Sequence, residues 1–129
     1  LVGYISHKTG KGHNDFSKPR AEYISPAMDR VRWQKPVVVL VNRSCFSAAN
    51  TFVRDMKQMP HAVIMGDSTG GGSGMPIGWS VRFSACPSYD VNMQQIEAGI
   101  APDIQCALDS TLALQGKDSM IEAARARLH

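Results

Sequence analysis

The chain has 129 residues, of which 43% are hydrophobic and 19% are charged, and its formal net charge at pH 7 is +3. This composition is typical of a globular domain and excludes an intrinsically disordered protein. The charge is small and no run of Lys or Arg exceeds two residues, which excludes the basic surface of a nucleic-acid-binding protein. No stretch reaches the roughly 20 apolar residues of a membrane-spanning helix. We therefore predict one domain-sized unit over residues 1–129, with no nucleic-acid partner and no transmembrane segment.

The cysteines and histidines indicate neither a disulfide framework nor a metal site. The three cysteines, Cys45, Cys86 and Cys106, form no CxxC pair. The four histidines are scattered, without the spacing of zinc ligands. We expect no metal ion and no other cofactor.

The first quarter of the chain is predicted to be mostly irregular. Residues 1–6 (LVGYIS) are typical of a short strand. Residues 7–34 are polar at first and form a variable excursion that is longer than most connections in a compact domain. Within this part, residues 27–35 lie between two prolines and could form a short helix or a turn.

The centre of the chain is typical of a parallel βαβ unit. Residues 36–41 (PVVVLV) are β-branched and apolar, which favours a strand buried on both faces. Residues 47–58 carry an apolar stripe at helical spacing, and residues 62–65 (AVIM) favour a second buried strand. A strand, a helix and a strand within thirty residues predict a parallel sheet with a right-handed crossover. The stripe consists of Ala48, Ala49, Phe52, Val53 and Met56.

The last part of the chain is predicted to contain short strands, a turn and a final helix. The predicted strands are residues 79–85, 88–91 and 104–108, with a turn at residues 99–103. Ser119 and Glu122 match a capping box, which predicts a C-terminal helix within residues 117–129.

The strand-to-helix joint, residues 42–49 (NRSCFSAA), is the first candidate site. The N-terminus of a helix offers unpaired N–H groups and a positive end, which can stabilise an oxyanion. Ser44 or Ser47 could be a nucleophile there. The alternative is that the serine only caps the helix, as most serines at this position do.

Two further candidate segments follow predicted strands. Residues 66–74 (GDSTGGGSG) contain five glycines and can expose backbone N–H groups to a ligand, although the P-loop lysine is missing. The alternative for this segment is a flexible surface loop. Residues 96–103 (IEAGIAPD) place Glu97 beside a tight turn, where a carboxylate can orient a catalytic base. The alternative for Glu97 is a solvated surface carboxylate.

In this order and spacing, PVVVLVN, FSAANTF, AVIMGDSTGGGSG and GIAPDI resemble the C-terminal-processing (tail-specific) serine peptidases, including their tricorn-like branch. The resemblance covers residues 35–108. It implies an α/β fold of the ClpP/crotonase type, of which this chain would be an incomplete, C-terminal portion. It also implies an endopeptidase that cleaves peptides or proteins through a serine acyl-enzyme without a cofactor.

By position, the resemblance assigns the nucleophile to Ser47, an oxyanion-hole N–H to Ala48 and a supporting carboxylate to Glu97. Gly72 stands where the tail-specific branch has its lysine base, whereas the tricorn-like branch uses an upstream histidine, for which His13 is the alternative within this chain. That histidine and the second oxyanion donor would lie in the remainder of the catalytic domain upstream, and the isolated chain is expected to have little activity. The residues assigned to substrate binding are Thr69, Gly70, Gly71 and Gly72.

Two other functions stay open at this point. One is a non-catalytic, peptide-binding relative of the family, which the missing lysine and histidine favour because a serine without a base is a weak nucleophile. The other is a crotonase-type acyl-CoA enzyme, which shares the fold class. The resemblance also implies a periplasmic or secreted location, for which the chain itself carries no signal.

Overall fold

The computed structural model describes residues 1–72, 76–77, 83–84 and 86–128. Most of the predicted strand over residues 79–85 lies outside these ranges. The described strands are β1 (Gly3–Ile5), β2 (Arg20–Glu22), β3 (Val37–Val41), β4 (Ala62–Gly66), β5 (Pro76–Ile77), β6 (Phe83–Ser84), β7 (Ser88–Tyr89) and β8 (Ile104–Gln105). The described helices are α1 (Ala48–Met56), α2 (Ser110–Leu114) and α3 (Ser119–Leu128).

A parallel sheet with the strand order β3-β4-β8 forms the centre of the fold. β3 and β4 pair in parallel along their whole length, from Val37 opposite Ala62 to Val41 opposite Gly66. β8 pairs in parallel with the end of β4. Because α1 connects β3 to β4, the predicted βαβ unit is confirmed, and with it the α/β fold class with a parallel sheet.

The hydrophobic core lies between this sheet and α1. It consists of the buried residues Val41, Val53, Ile64, Ile96 and Ile100. α3 packs against the parallel sheet at β3 and β4. The prediction that β3 is buried on both faces was wrong, because Val41 alone among its five residues is buried. Val39 and Val41 face the core, whereas Leu40 points to the opposite face of the sheet and is 37% exposed.

A second, antiparallel sheet has the strand order β2-β1-β7. β1 confirms the strand predicted over residues 1–6. β2 lies inside the stretch predicted as an irregular excursion over residues 7–34, because the returning chain pairs with β1, Gly3 opposite Glu22. Residues 27–35 contain no helix.

The buried face of α1 differs from the predicted apolar stripe. Its buried residues are Asn50, Val53 and Arg54, whereas Phe52 is 53% exposed. Arg54 can be buried because its guanidinium forms ion pairs with Glu22 at 2.6 Å and with Asp55 at 2.9 Å. α1 is therefore joined to the parallel sheet through Val53 and to the antiparallel sheet through Arg54.

The C-terminal helix α3 is present as predicted, but its cap is different. Asp118 caps it, because its Oδ1 accepts hydrogen bonds from the N–H groups of Met120 (2.8 Å) and Ile121 (3.2 Å). The predicted capping residue Ser119 instead accepts a hydrogen bond from the Asp109 N–H. No helix among the described residues combines the length and apolar character of a membrane span.

Candidate active site

Ser47 lies at the apex of a sharp turn between the end of β3 and the start of α1. Its backbone dihedrals are φ 55° and ψ −119°, and the Ala49 N–H donates to the Phe46 carbonyl at 3.1 Å. These are the features of a type II′ turn, whose second residue has φ and ψ of about +60° and −120°. Glycine adopts this conformation readily, whereas a residue with a Cβ is strained in it. The side chain of Ser47 is exposed and makes no capping hydrogen bond with α1.

The turn places Ser47 directly before the N-terminus of α1. The Ala48 N–H belongs to the first helical turn, where N–H groups have no acceptor within the helix and carry the positive end of the helix dipole. Ala48 is exposed and its side chain is a single methyl group. Ser44, the other candidate serine, lies three residues before Ser47, and its N–H donates to Asn42 Oδ1 at 2.9 Å. Of the two serines, Ser47 alone lies at the end of the helix.

The glycine-containing segment after β4 runs beside this turn. The Gly70 N–H donates to the Cys45 carbonyl, and the Ser47 N–H donates to the Gly71 carbonyl, both at 2.9 Å. The pairing of β3 with β4 thus continues beyond both strands, and residues 66–72 are held in place rather than forming a flexible loop. Residues 73–74 of the predicted segment lie outside the described residues.

Glu97 lies on the other side of the same segment. The Gly72 N–H donates to the Glu97 carbonyl at 3.0 Å. Gly71 has φ +77°, and a Cβ at that position would overlap the Glu97 carbonyl oxygen. The structure therefore brings together Ser47 and Glu97, with Gly71–Gly72 between their backbones. Glu97 is half-buried. The catalytic role of each residue stays a prediction.

Thr69 lies beneath the segment and is fully buried. Its Oγ1 donates to Asn50 Oδ1 at 2.5 Å and accepts from the Ile100 N–H at 2.6 Å. Thr69 therefore presents no surface to a substrate in this structure, whereas Gly70 and Gly72 are partly exposed. The assignment of the segment to substrate binding stays a prediction. The sequence interpretation missed Asn50, whose signal was a polar residue three positions after the candidate nucleophile.

Asp103 connects the turn that carries Glu97 to the βαβ unit through a hydrogen bond and an ion pair. Its Oδ2 accepts from the Ile64 N–H at 2.8 Å, and its Oδ1 forms an ion pair with Lys57, which follows α1. Burial raises the pKa of Asp103, but the hydrogen bonds from Lys57 and from Ile64 outweigh burial and lower the pKa overall. The Asp103 side chain is therefore ionised at neutral pH.

The described histidines lie in three separate places. His7 Nδ1 is 3.5 Å from Cys86 Sγ. His13 is exposed in the loop that follows β1, and His61 directly precedes β4, at the end of the sheet opposite to Ser47. His129 lies outside the described residues. Among the described residues, no group of three or more His, Cys, Asp or Glu side chains could hold a metal ion.

A protein-family model matches most of the chain. The model of peptidase family S41 matches residues 2–106. The chain belongs to peptidase family S41. This family consists of serine peptidases, which act on peptides or proteins. The match includes both candidate catalytic residues, Ser47 and Glu97, and the glycine-containing segment that follows β4.

Two solved structures resemble this S41 chain. A protein of Parabacteroides merdae ATCC 43184, provisionally assigned as a peptidase, is 51% identical and has a TM-score of 0.93; the match covers 99% of this chain and 42% of that one. Mature CPAF complexed with lactacystin is 23% identical with a TM-score of 0.65, and the match covers 88% of this chain and 23% of that one. At that identity the likeness to CPAF shows the fold alone. The S41 chain thus spans less than half the length of either protein. No curated protein matches it in sequence.

Proposed function

We propose that this S41 chain carries the nucleophile of a serine peptidase and that Ser47 is the residue that is acylated. The observation that carries the proposal is the turn at Ser47. Its hydroxyl is exposed at the apex, directly before the N-terminus of α1, and it is not used to cap the helix. Backbone strain of this kind is found where it serves a function, such as a nucleophile held on a strand-to-helix turn. Membership of the S41 family supports a peptide or protein substrate.

In the proposed reaction, Ser47 Oγ attacks the carbonyl carbon of a peptide bond. The C–N bond breaks, the amine leaves with a proton, and water then hydrolyses the acyl-enzyme. The Ala48 N–H donates to the oxyanion, and one such donor contributes about 10²–10³-fold to kcat. The proton of the Ser47 hydroxyl passes to a base outside residues 1–129, in the remainder of the proposed catalytic domain.

The proposed base is a histidine of the tricorn-like kind, supported by Glu97. The family resemblance and one contact favour this over a Ser–Lys dyad. By the resemblance, Gly72 stands where the lysine would be, and its N–H donates to the Glu97 carbonyl, so the carboxylate-bearing residue lies directly beside the segment. Gly70 and Gly72 line the path of the substrate in this arrangement. From the family resemblance we also propose that the protein acts in the periplasm or outside the cell.

Labelling with a fluorophosphonate probe tests the proposal. Ser47 Oγ bonds to phosphorus and fluoride leaves, so the reaction reports an activated serine. The chain and the same chain extended by its native flanking sequence are compared, each also as Ser47→Ala and Ser44→Ala. We expect labelling of the extended form, its loss with Ser47→Ala and its retention with Ser44→Ala. The absence of labelling in both forms, or labelling that survives Ser47→Ala, would contradict the proposal.

A non-catalytic, peptide-binding relative is the second candidate. Two features favour it, since a serine without a base is a weak nucleophile. Gly72 stands in place of a lysine, and the described histidines His7, His13 and His61 lie in three separate places. Mass spectrometry of a peptide mixture incubated with the extended protein separates the two candidates. Cleavage products that disappear with Ser47→Ala support the enzyme, whereas peptides that are retained intact support the binding relative. Nothing in the described residues favours the acyl-CoA alternative.

A further inference from the structure

Asn50 and Thr69 form a polar pair inside the hydrophobic core. Both side chains are fully buried. Thr69 Oγ1 donates to Asn50 Oδ1 at 2.5 Å, and Asn50 Nδ2 donates to the Ile96 carbonyl at 3.0 Å. Thr69 Oγ1 also accepts from the Ile100 N–H at 2.6 Å, and the Thr69 N–H donates to the Ile100 carbonyl at 3.1 Å. The hydroxyl of Thr69 is thus both a donor and an acceptor, with its hydrogen fixed toward Asn50.

This pair joins the three segments that make up the candidate active site. Asn50 lies on α1, three residues after Ser47, and Thr69 directly precedes the three glycines of the segment. Each binds one end of the turn that carries Glu97: Asn50 donates to the Ile96 carbonyl, and Thr69 accepts from the Ile100 N–H.

A buried polar network demands one arrangement of its partners, because any other leaves a polar group unsatisfied in a medium of low dielectric. Apolar residues at positions 50 and 69 could fill the same space, but they would add no directional constraint to the backbone hydrogen bonds between these segments. The hydrogen bonds instead fix α1 relative to the turn, which sets the position of Ser47 relative to Glu97 across Gly71–Gly72.

We propose that Asn50 and Thr69 are positioning residues for acylation of Ser47, an inference that rests on the proposed function. They touch no substrate, since both are buried. They act by holding Ser47 and the carboxylate-bearing turn in one register, so that the rate of acylation depends on them beyond their contribution to folding.

The test measures the saturation kinetics of fluorophosphonate labelling on the extended protein, which separates the limiting rate, kinact, from the half-saturating concentration, KI. The variants are Thr69→Val, which keeps the shape and removes the hydroxyl, and Thr69→Ser, which keeps the hydroxyl. Glu22→Gln is the matched control, because it weakens a partly buried polar contact at Arg54, toward the other end of α1. All are compared at a temperature at which circular dichroism shows them fully folded.

We expect Thr69→Val to lower kinact about tenfold or more with KI little changed, since small displacements of reacting groups have large effects on rate. Thr69→Ser should remain within about threefold of wild type and Glu22→Gln within about twofold. If the kinact of Thr69→Val equals that of the wild type, or falls no further than the kinact of Glu22→Gln, the positioning role is refuted.

Asn50→Leu is the second variant, for the case that Thr69→Val does not fold. It removes both the acceptor for the Thr69 hydroxyl and the donor to the Ile96 carbonyl without placing a charge in the core. We expect a lower kinact here as well, and an unchanged kinact would overturn the proposal. Absence of labelling in the folded wild-type protein would refute the proposed function itself, so the two failures are distinguishable.

Discussion

The strain that we infer at Ser47 predicts that a glycine there makes the protein more stable. The comparison that isolates the strain is Ser47→Gly against Ser47→Ala. Both variants lack the hydroxyl, so the difference between their free energies of unfolding reports the Cβ alone. At φ 55° and ψ −119° this Cβ is unfavourable, whereas glycine occupies the region freely.

The magnitude follows from two opposing effects. Strain at a backbone conformation of this kind costs about 1–3 kcal/mol. Glycine offsets part of the relief, because it raises the conformational entropy of the unfolded chain by the equivalent of about 0.4–1 kcal/mol. We therefore expect the free energy of unfolding of Ser47→Gly to exceed that of Ser47→Ala by about 1.3 kcal/mol, within a range of about 0–2.6 kcal/mol.

Urea unfolding of both variants, followed by circular dichroism, measures the difference. Ala49→Gly is the control, because Ala49 is exposed and lies in the first turn of α1. There glycine should lower the free energy of unfolding by about 0.5–1 kcal/mol. If Ser47→Gly is less stable than Ser47→Ala by as much as Ala49→Gly is less stable than the wild type, the turn is not strained at Ser47. The observation on which the proposed function depends would then be lost.

Three further predictions concern the scaffold of the site. Ile64→Ala should lower the free energy of unfolding by about 2–5 kcal/mol in urea unfolding, because Ile64 is fully buried in the core; a smaller loss would show that the core collapses around the cavity. The lowered pKa of Asp103 means that its ionised form adds stability above its ordinary pKa of about 3.9, and that this stability is lost as the pH falls through the lowered value. Asp103→Asn should therefore flatten the dependence of the unfolding midpoint on pH below about 4, and a variant with the unchanged dependence would refute this. Glu22→Gln should lower the free energy of unfolding by about 1–3 kcal/mol, since it weakens a contact of the buried Arg54, and thermal unfolding that leaves the midpoint in place would contradict it.

The central βαβ unit could be predicted because its signals are local. The β-branched run that ends at Val41, the helical spacing after Ser47 and the second apolar run before Gly66 each determine one element, and short connections leave little choice in how they pair. The candidate site followed from the same unit. A serine at the start of α1 and glycines after β4 must lie at the carboxyl edge of a parallel sheet, where the structure has them.

The rest depends on partners far away in sequence. Asn50 and Arg54 have polar side chains on the buried face of α1, and helical periodicity assigns such residues to the solvent face. Their burial becomes favourable through Thr69 and Glu22, which lie 19 and 32 residues away. β2 likewise forms because β1 offers it an edge, and its own three residues carry no strand signal.

The site itself is built mostly from backbone hydrogen bonds, and this explains why so few side chains reveal it. The carbonyl of Gly71 holds the Ser47 N–H and the N–H of Gly72 holds the Glu97 carbonyl, and any residue supplies these groups if it can adopt the conformation. What the sequence must provide is the absence of a side chain at Gly71, where a Cβ would overlap Glu97. At Ser47 the situation is reversed, because glycine would suit the backbone and a serine is present instead. A hydroxyl kept at a position where the fold favours glycine is the feature that sets this serine apart from one that merely caps a helix.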